Sequence, residues 1–173
     1  MSQPIKIKNA LISVYYKDGL EPLIRQLHED GVQFYSTGGT EKFIRDLGFD
    51  VHAVEDLTSY PSILGGRVKT LHPKVFGGIL ARRDLKEDQT QLTEFEIPEF
   101  DLVIVDLYPF EETLKSGASE AEIIEKIDIG GISLIRAGAK NFKDVVIISS
   151  KDDYPVLTDI LKEHQGATHL NHR

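Results

Sequence analysis

The chain has 173 residues, no cysteine and a formal net charge of -8. This length suits one domain, and the missing cysteines exclude disulfides, thiolate zinc sites and a cysteine nucleophile. A sequence pI near 5.2 argues against a general nucleic-acid binder, because affinity for a phosphate backbone needs a basic face. An anionic ligand would therefore need a local basic pocket.

The first residues, MSQPIKIKNALISV, carry two lysines before an apolar run that is too short to span a bilayer. They also lack a small-residue cleavage site. We therefore expect no signal peptide, no membrane partner and a cytoplasmic location.

Strands and helices alternate in the first half of the chain. Short apolar runs predict strands at residues 10–14 and 32–35, and apolar residues at helical spacing follow each run. The second of these helices is expected to end at Gly48. An irregular segment over 58–73 separates this part from a predicted helix at 74–83.

The second half continues the alternation. LVIVDL, at 102–107, is typical of a fully buried parallel strand. Ser119 and Glu122 form a capping box for the next helix, and IDIGG interrupts before a further helical stretch at 132–140. A strand at 145–148 and a last helix complete an α/β fold, with an open, mainly parallel sheet and helices on both faces.

Polar residues follow the predicted strands, where ligands bind in such sheets. Ser13 and Lys17 follow the first strand, and STGGT, at 36–40, follows the second. Thr40 is the expected N-cap of the next helix, and free backbone N–H groups at a helix start favour an anion. An ordinary strand-to-helix turn explains STGGT equally well.

The segment GGRVKTLHP, at 65–73, concentrates donor groups in an irregular loop. In an extended backbone Arg67 and Lys69 project to the same side, beside Thr70 and His72, and the two cations could hold a phosphate. A basic pair in a loop is more often simply solvated, and His72 is by default a structural donor.

Three further residues have two interpretations each. Tyr108 directly follows the buried strand and is either a fixed hydroxyl or an aromatic plug. Asp128 and Lys140 are either a proton-relay pair in a cleft or, separately, a helix cap and a C-terminal lysine. The histidines show no metal-ligand spacing beyond a C-terminal HLNH, so no metal site is expected.

Six motifs in this order, SVYYK, STGGT, GGRVKTLHP, DLYPF, KIDIGG and AGAKN, closely resemble the IMP cyclohydrolase domain of bifunctional purine biosynthesis proteins. The resemblance runs from about residue 5 to 155. It implies a methylglyoxal-synthase-like fold, a homodimer and closure of 5-formamidoimidazole-4-carboxamide ribonucleotide to IMP with loss of water. No cofactor is implied.

The resemblance also implies roles for single residues. Asp128 with Lys140 would handle the carboxamide proton, and Lys69 with Tyr108 would stabilise or protonate the formyl oxygen. The other implied residues hold the phosphate, ribose and base of the nucleotide. They are Ser13, Lys17, Ser36, Thr37, Gly38, Gly39, Thr40, Arg67, Thr70, Leu71, Asp106, Ile129, Gly130 and Gly131.

The chain departs from the family pattern at several positions. Tyr15 and Tyr16 stand where relatives often have Ser and Asp, and Asp106 stands where they often have Asn, which can donate to a ligand carbonyl. Phe76 and Phe142 replace histidines.

The length also departs from the family pattern, because the bifunctional protein continues into a formyltransferase domain. We expect a cyclohydrolase domain at 1–163, a polar segment at 164–173 that begins the connection to the absent domain, and no formyltransferase activity.

Two other functions fit parts of the pattern. Domains of the same fold also serve as regulatory modules that bind phosphorylated ligands, and STGGT alone does not separate them from an enzyme. Methylglyoxal synthase itself shares the phosphate-binding logic, but it does not explain GRVKTLHP or IDIGG.

Overall fold

The computed structural model describes residues 4–173. The strands are β1 (Ile5–Lys6), β2 (Asn9–Ser13), β3 (Gln33–Ser36), β4 (His52–Ala53), β5 (Leu102–Val105), β6 (Val146–Ile148) and β7 (Ala167–Thr168). The α-helices are α1 (Leu20–Glu29), α2 (Gly38–Asp46), α3 (Val54–Thr58), α4 (Pro73–Leu80), α5 (Lys86–Glu94), α6 (Phe110–Lys115), α7 (Glu120–Ile124), α8 (Gly130–Lys140) and α9 (Tyr154–Glu163). Short 3₁₀ turns lie at Leu64–Gly66, Lys151–Asp153 and Leu170–His172.

The main sheet has five strands in the order β4-β3-β2-β5-β6, and all neighbouring pairs are parallel. This arrangement confirms the predicted α/β fold. The strand order reverses at β2, which pairs with β3 on one side and with β5 on the other. A crevice therefore opens beyond the carboxyl ends of β2 and β5, where doubly wound sheets bind their ligands.

The core lies on both faces of this sheet, because side chains alternate along each strand. Ala10 and Ile12 pack with α1, α2 and α9 on one face, whereas Leu11 packs with α4 and α8 on the other. All four residues of β5 are buried, which explains its unbroken apolar sequence.

Two differences from the sequence-based expectation have a clear physical reason. The prediction of Thr40 as an N-cap is wrong, because α2 begins at Gly38 and its N-cap is Thr37 in an extended conformation. Helix α5 was not predicted, since it is polar and Leu92 is its one buried residue.

The polar segment after His164 lies on the domain. Ala167 and Thr168 pair with Lys6 and Ile5 in an antiparallel two-stranded sheet, and the Ile7 N–H donates to the Gly166 carbonyl. Among residues 4–173, no helix is both long enough and apolar enough to cross a bilayer.

Candidate active site

A cavity of about 680 Å³ lies at the carboxyl ends of β2, β3 and β5. Its walls come from the loop after β2, the start of α2, the loop at 65–71, the turn after β5 and the segment from 124 to the first turn of α8. A volume of this size is typical of small-molecule sites. The cavity therefore lies where the strand order reverses, as the fold predicts.

Asp106 shapes the loop after β2. Its carboxylate accepts hydrogen bonds from the backbone N–H groups of Tyr15 and Tyr16. The Lys17 ammonium donates to the carbonyls of Val14 and Tyr15, at 2.5 and 3.0 Å. Burial lowers the pKa of Lys17, Asp106 opposes this effect, and the nearby Lys69 lowers the pKa further. The repulsion between these two positive charges favours the binding of an anion beside them.

The start of α2 is tied to the same loop. The buried Thr40 hydroxyl donates to the Val14 carbonyl and accepts from the Val14 N–H. Ser36 turns away from the cavity, because its buried hydroxyl donates to the Ile12 carbonyl. The start of α2 thus faces the cavity, which is lined there by Thr37, Gly39 and Thr40.

The loop at 65–71 folds back on itself, through a bridge between Ile63 and Val68. Gly65 and Gly66 both have positive φ, a conformation that favours glycine. Arg67 forms an ion pair with Glu125, which lies in the segment between α7 and α8. This pair joins two walls of the cavity.

Asp128 occupies the turn that leads into α8. Its carboxylate accepts from the Gly131 N–H at 2.6 Å and weakly from the Tyr108 N–H at 3.4 Å. A Cβ at residue 131 would lie 2.8 Å from an Asp128 oxygen, and one at residue 130 would lie 3.0 Å from the Thr70 hydroxyl. The glycine pair therefore lets Asp128 and Thr70 approach the helix start.

Tyr15, Tyr108 and Lys126 form a cluster on one side of the cavity. The two rings stand edge to face with centroids 5.6 Å apart, and the Lys126 ammonium lies 5.1 Å from the Tyr15 ring and 5.7 Å from the Tyr108 ring. Burial raises the pKa of the Tyr108 phenol, and Asp128 and Tyr15 add to this effect. Tyr108 therefore keeps its proton at neutral pH and can donate it in a hydrogen bond.

A family profile described as "MGS-like domain" matches residues 19–133, which is more than half of the chain. The chain belongs to the MGS-like domain family. The methylglyoxal-synthase-like fold expected from the sequence is thereby confirmed. Within residues 4–173 of this MGS-like domain, no group of three or more histidine, aspartate or glutamate side chains is arranged to hold a metal ion.

Two of the similar proteins have the same name. The "Bifunctional purine biosynthesis protein PurH" of Bacteroides thetaiotaomicron is 64% identical over 173 residues, which are 100% of this chain and 34% of that protein. The protein of the same name from Aquifex aeolicus is 48% identical over 154 residues, covering 89% of this chain and 30% of its own length. The chain thus spans about a third of the length of these relatives.

A solved structure has the same architecture. The structure described as "Crystal structure of ForH" superposes with a TM-score of 0.77 at 36% sequence identity. The match covers 92% of this chain and 80% of that chain.

The structure brings most of the expected site residues of this MGS-like domain together. Fifteen of them line the cavity: Ser13, Lys17, Thr37, Gly39, Thr40, Arg67, Lys69, Thr70, Leu71, Asp106, Tyr108, Asp128, Ile129, Gly130 and Gly131. Three do not, namely Ser36, Gly38 and Lys140.

Lys140 lies away from the site because of the helix that carries it. It is the last residue of α8, whereas the cavity is at the first turn. A rise of about 1.5 Å per residue separates the two ends of the helix by roughly 15 Å. The expected pairing of Asp128 with Lys140 is therefore not formed within this chain.

Glu125 and Lys126 line the cavity but were not predicted as site residues. They follow a short helix whose capping box, Ser119 with Glu122, is confirmed. Ile124 and Ile127 fit a core-facing pattern in the sequence, yet they are 47% and 53% exposed. Lys126 is the first residue of the KIDIGG motif, but neither it nor Glu125 was assigned a role from the sequence, so only the folded chain reveals that both line the cavity.

Proposed function

We propose that this domain is an IMP cyclohydrolase, which closes 5-formamidoimidazole-4-carboxamide ribonucleotide to IMP in purine biosynthesis. The observation that carries the proposal is the meeting of Lys69, Tyr108 and Asp128 in one cavity at the strand ends. The shared name of the similar proteins supports the same pathway.

The phosphate of the nucleotide fits the cationic side of the cavity. Lys17, Arg67 and Lys69 supply positive charge there, and the first turn of α2 supplies free backbone N–H groups. Gly39 lies beside Lys17 there, since a Cβ at this residue would be 3.9 Å from the Lys17 ammonium. Negative charge on the ligand would offset the repulsion between the two lysines.

The reacting groups fit the part of the cavity that Asp128, Tyr108 and Lys69 line. A carboxamide nitrogen is a weak nucleophile and a formamide is a weak electrophile, but both belong to one substrate, so orientation supplies much of the rate. The Asp128 carboxylate already accepts hydrogen bonds from two backbone N–H groups, those of Tyr108 and Gly131. Its remaining lone pairs can accept a carboxamide N–H and direct the nitrogen toward the formyl carbon.

The bond changes balance without a cofactor. The carboxamide nitrogen bonds to the formyl carbon and loses one proton, and the formyl oxygen becomes a hydroxyl. That hydroxyl leaves as water with the hydrogen of the formamide nitrogen, and a C=N bond forms. Lys69 and the protonated Tyr108 are the donors that stabilise the oxygen as negative charge develops on it.

Lys140 has a place in this proposal only across a dimer. Within its own chain it lies at the far end of α8 and is exposed. The homodimer and the cytoplasmic location implied by the family resemblance belong to the proposal. In such a dimer the Lys140 of one copy serves the cavity of the other.

An ultraviolet absorbance assay of ring closure tests the function. The wild-type domain should form IMP, and Lys69→Ala should lower the rate by a factor of about 10² to 10⁴. Binding of the nucleotide without IMP formation would instead favour a regulatory module. Turnover of dihydroxyacetone phosphate would favour a methylglyoxal synthase.

A further inference from the structure

Lys126 is a cation with an unusual set of neighbours. Its ammonium lies beside both the Tyr15 and the Tyr108 ring, and none of the ion pairs found among residues 4–173 includes it. The residue before it, Glu125, is paired with Arg67 instead. The contacts of Lys126 are therefore with aromatic faces, which attract a cation through their quadrupole.

The two rings are anchored by their backbones. The Tyr15 N–H donates to Asp106 after β5, and the Tyr108 N–H donates weakly to Asp128 before α8. Only the side-chain torsions of the rings remain free. An ammonium that contacts both rings limits those torsions, so the three side chains form one wall.

We propose that Lys126 is a positioning residue of this cavity, which holds the Tyr15–Tyr108 wall and supplies positive charge beside the Tyr108 phenol. This inference rests on the proposed function, in which Tyr108 donates a hydrogen bond to the formyl oxygen. The charged and titratable groups around the Tyr108 ring are Tyr15, Lys126 and Asp128. Lys126 is the one cation among them, and its ammonium lies 5.7 Å from the centre of the Tyr108 ring.

Two substitutions separate charge from shape. Lys126→Met removes the charge and keeps an unbranched side chain, and Lys126→Arg keeps the charge and its attraction to the rings. The chain offers a matched control, Lys151→Met, because the Lys151 ammonium lies 5.1 Å from the Tyr16 ring in the same kind of contact. Lys151 does not line the cavity.

The first measurement does not depend on activity. Tetranitromethane nitrates the phenolate form of tyrosine, so peptide mapping gives the nitration rate of Tyr108 relative to the exposed Tyr60. Lys126→Met should lower that ratio about threefold to tenfold, since loss of a nearby cation raises the pKa of a phenol. Lys126→Arg and Lys151→Met should leave the ratio within about twofold of the wild type.

The second measurement is the ring-closure rate. Lys126→Met should lower kcat by about threefold to tenfold with little change in KM, and Lys126→Arg should restore most of it. The inference is overturned if Lys126→Met changes nitration no more than Lys151→Met does, or if kcat stays at the wild-type value. If nitration responds as expected but the wild type forms no IMP, the position of Lys126 is supported and the proposed function fails.

Discussion

At the residue scale, Asp106 illustrates how one side chain can shape a site by holding a neighbouring loop. Its two oxygens accept from consecutive backbone N–H groups, those of Tyr15 and Tyr16, and so hold the loop that carries Lys17. An aspartate suits this task because the carboxylate only accepts, whereas an asparagine presents one acceptor and one donor. The aspartate at this position, where relatives often have asparagine, thus suits the loop that it holds.

We expect Glu125 to compete with an anionic ligand for Arg67, because the two side chains form an ion pair. The side chains of this ion pair are 62% and 57% exposed, so the pair is weak and exchangeable. We expect Glu125→Gln to bind inorganic phosphate or a nucleoside monophosphate about twofold to tenfold more tightly, because the guanidinium is released for the ligand. Isothermal titration calorimetry at fixed salt measures the change.

Glu120→Gln is the matched control for this prediction. It removes the same charge from the first residue of α7, and Glu120 does not line the cavity. Equal affinity gains in the two variants would mean that net charge alone is responsible. An unchanged affinity in Glu125→Gln would contradict the competition.

At the element scale, Asp101 joins several elements at the amino ends of β2 and β5. It accepts from the backbone N–H groups of Lys8 and Asn9 at the start of β2 and from the Arg83 guanidinium at 2.6 Å. The two charged side chains are only 5% and 17% exposed. This network sets the start of β5 against β2, and hence the register that carries Asp106 to the cavity.

Asp101→Ala should lower the free energy of unfolding by about 3 kcal/mol, because it leaves a buried guanidinium and two backbone donors unpaired. Urea denaturation provides the measurement. Asp46→Ala is the comparison, since it removes the partner of Lys42 in an exposed pair and should change stability little. Similar losses in both variants would show that the Asp101 network has no special weight.

Helix α9 places a tyrosine hydroxyl in the core. The side chain of Tyr154 is buried, and its hydroxyl has no hydrogen-bond partner among the residues that the structure describes. Burial raises the pKa of Tyr154 to about 12, and Asp106 adds to the effect. The phenol therefore stays protonated in the folded state at pH values where an unfolded chain ionises it.

This shift predicts alkaline sensitivity. The contribution of Tyr154 to stability is complete below about pH 10 and is lost as the pH rises toward 12, because only the unfolded state releases the proton easily. Tyr154→Phe should fold well at pH 7 and lose less stability than the wild type between pH 10 and 12. Parallel pH dependences of the two melting temperatures would show that folding does not raise the pKa of Tyr154.

At the scale of the whole molecule, the proposed dimer makes a prediction about mixed variants. Lys69→Ala and Lys140→Ala should each be nearly inactive, but a mixture that exchanges subunits should regain about a quarter of the wild-type activity. The reason is that a mixed dimer has one cavity with an intact Lys69 and an intact Lys140 from the partner copy. If subunits are shown to exchange and activity does not recover, Lys140 does not act in the cavity of the partner copy. Both lysines would then belong to one chain's site, or Lys140 would have no role in the site.

Local patterns in the sequence were enough to predict the fold class. The buried strand β5, the capping box at Ser119 and the helices after β2 and β3 all depend on spacing within a few residues. Parallel order follows from the alternation of strands and helices. The helix start at Gly38 was missed, because Thr40 contacts Val14, which is distant in sequence.

The sequence alone also determined the chemical character of the site, since its motifs contain the lysines, tyrosine and aspartate that line the cavity. The tertiary structure decided which residues meet. Lys140 lies at the end of α8 that is far from the cavity of its own chain, whereas Glu125 and Lys126 line that cavity. The physical reason is that spacing encodes local geometry, whereas the meeting of distant segments depends on packing across the whole sheet.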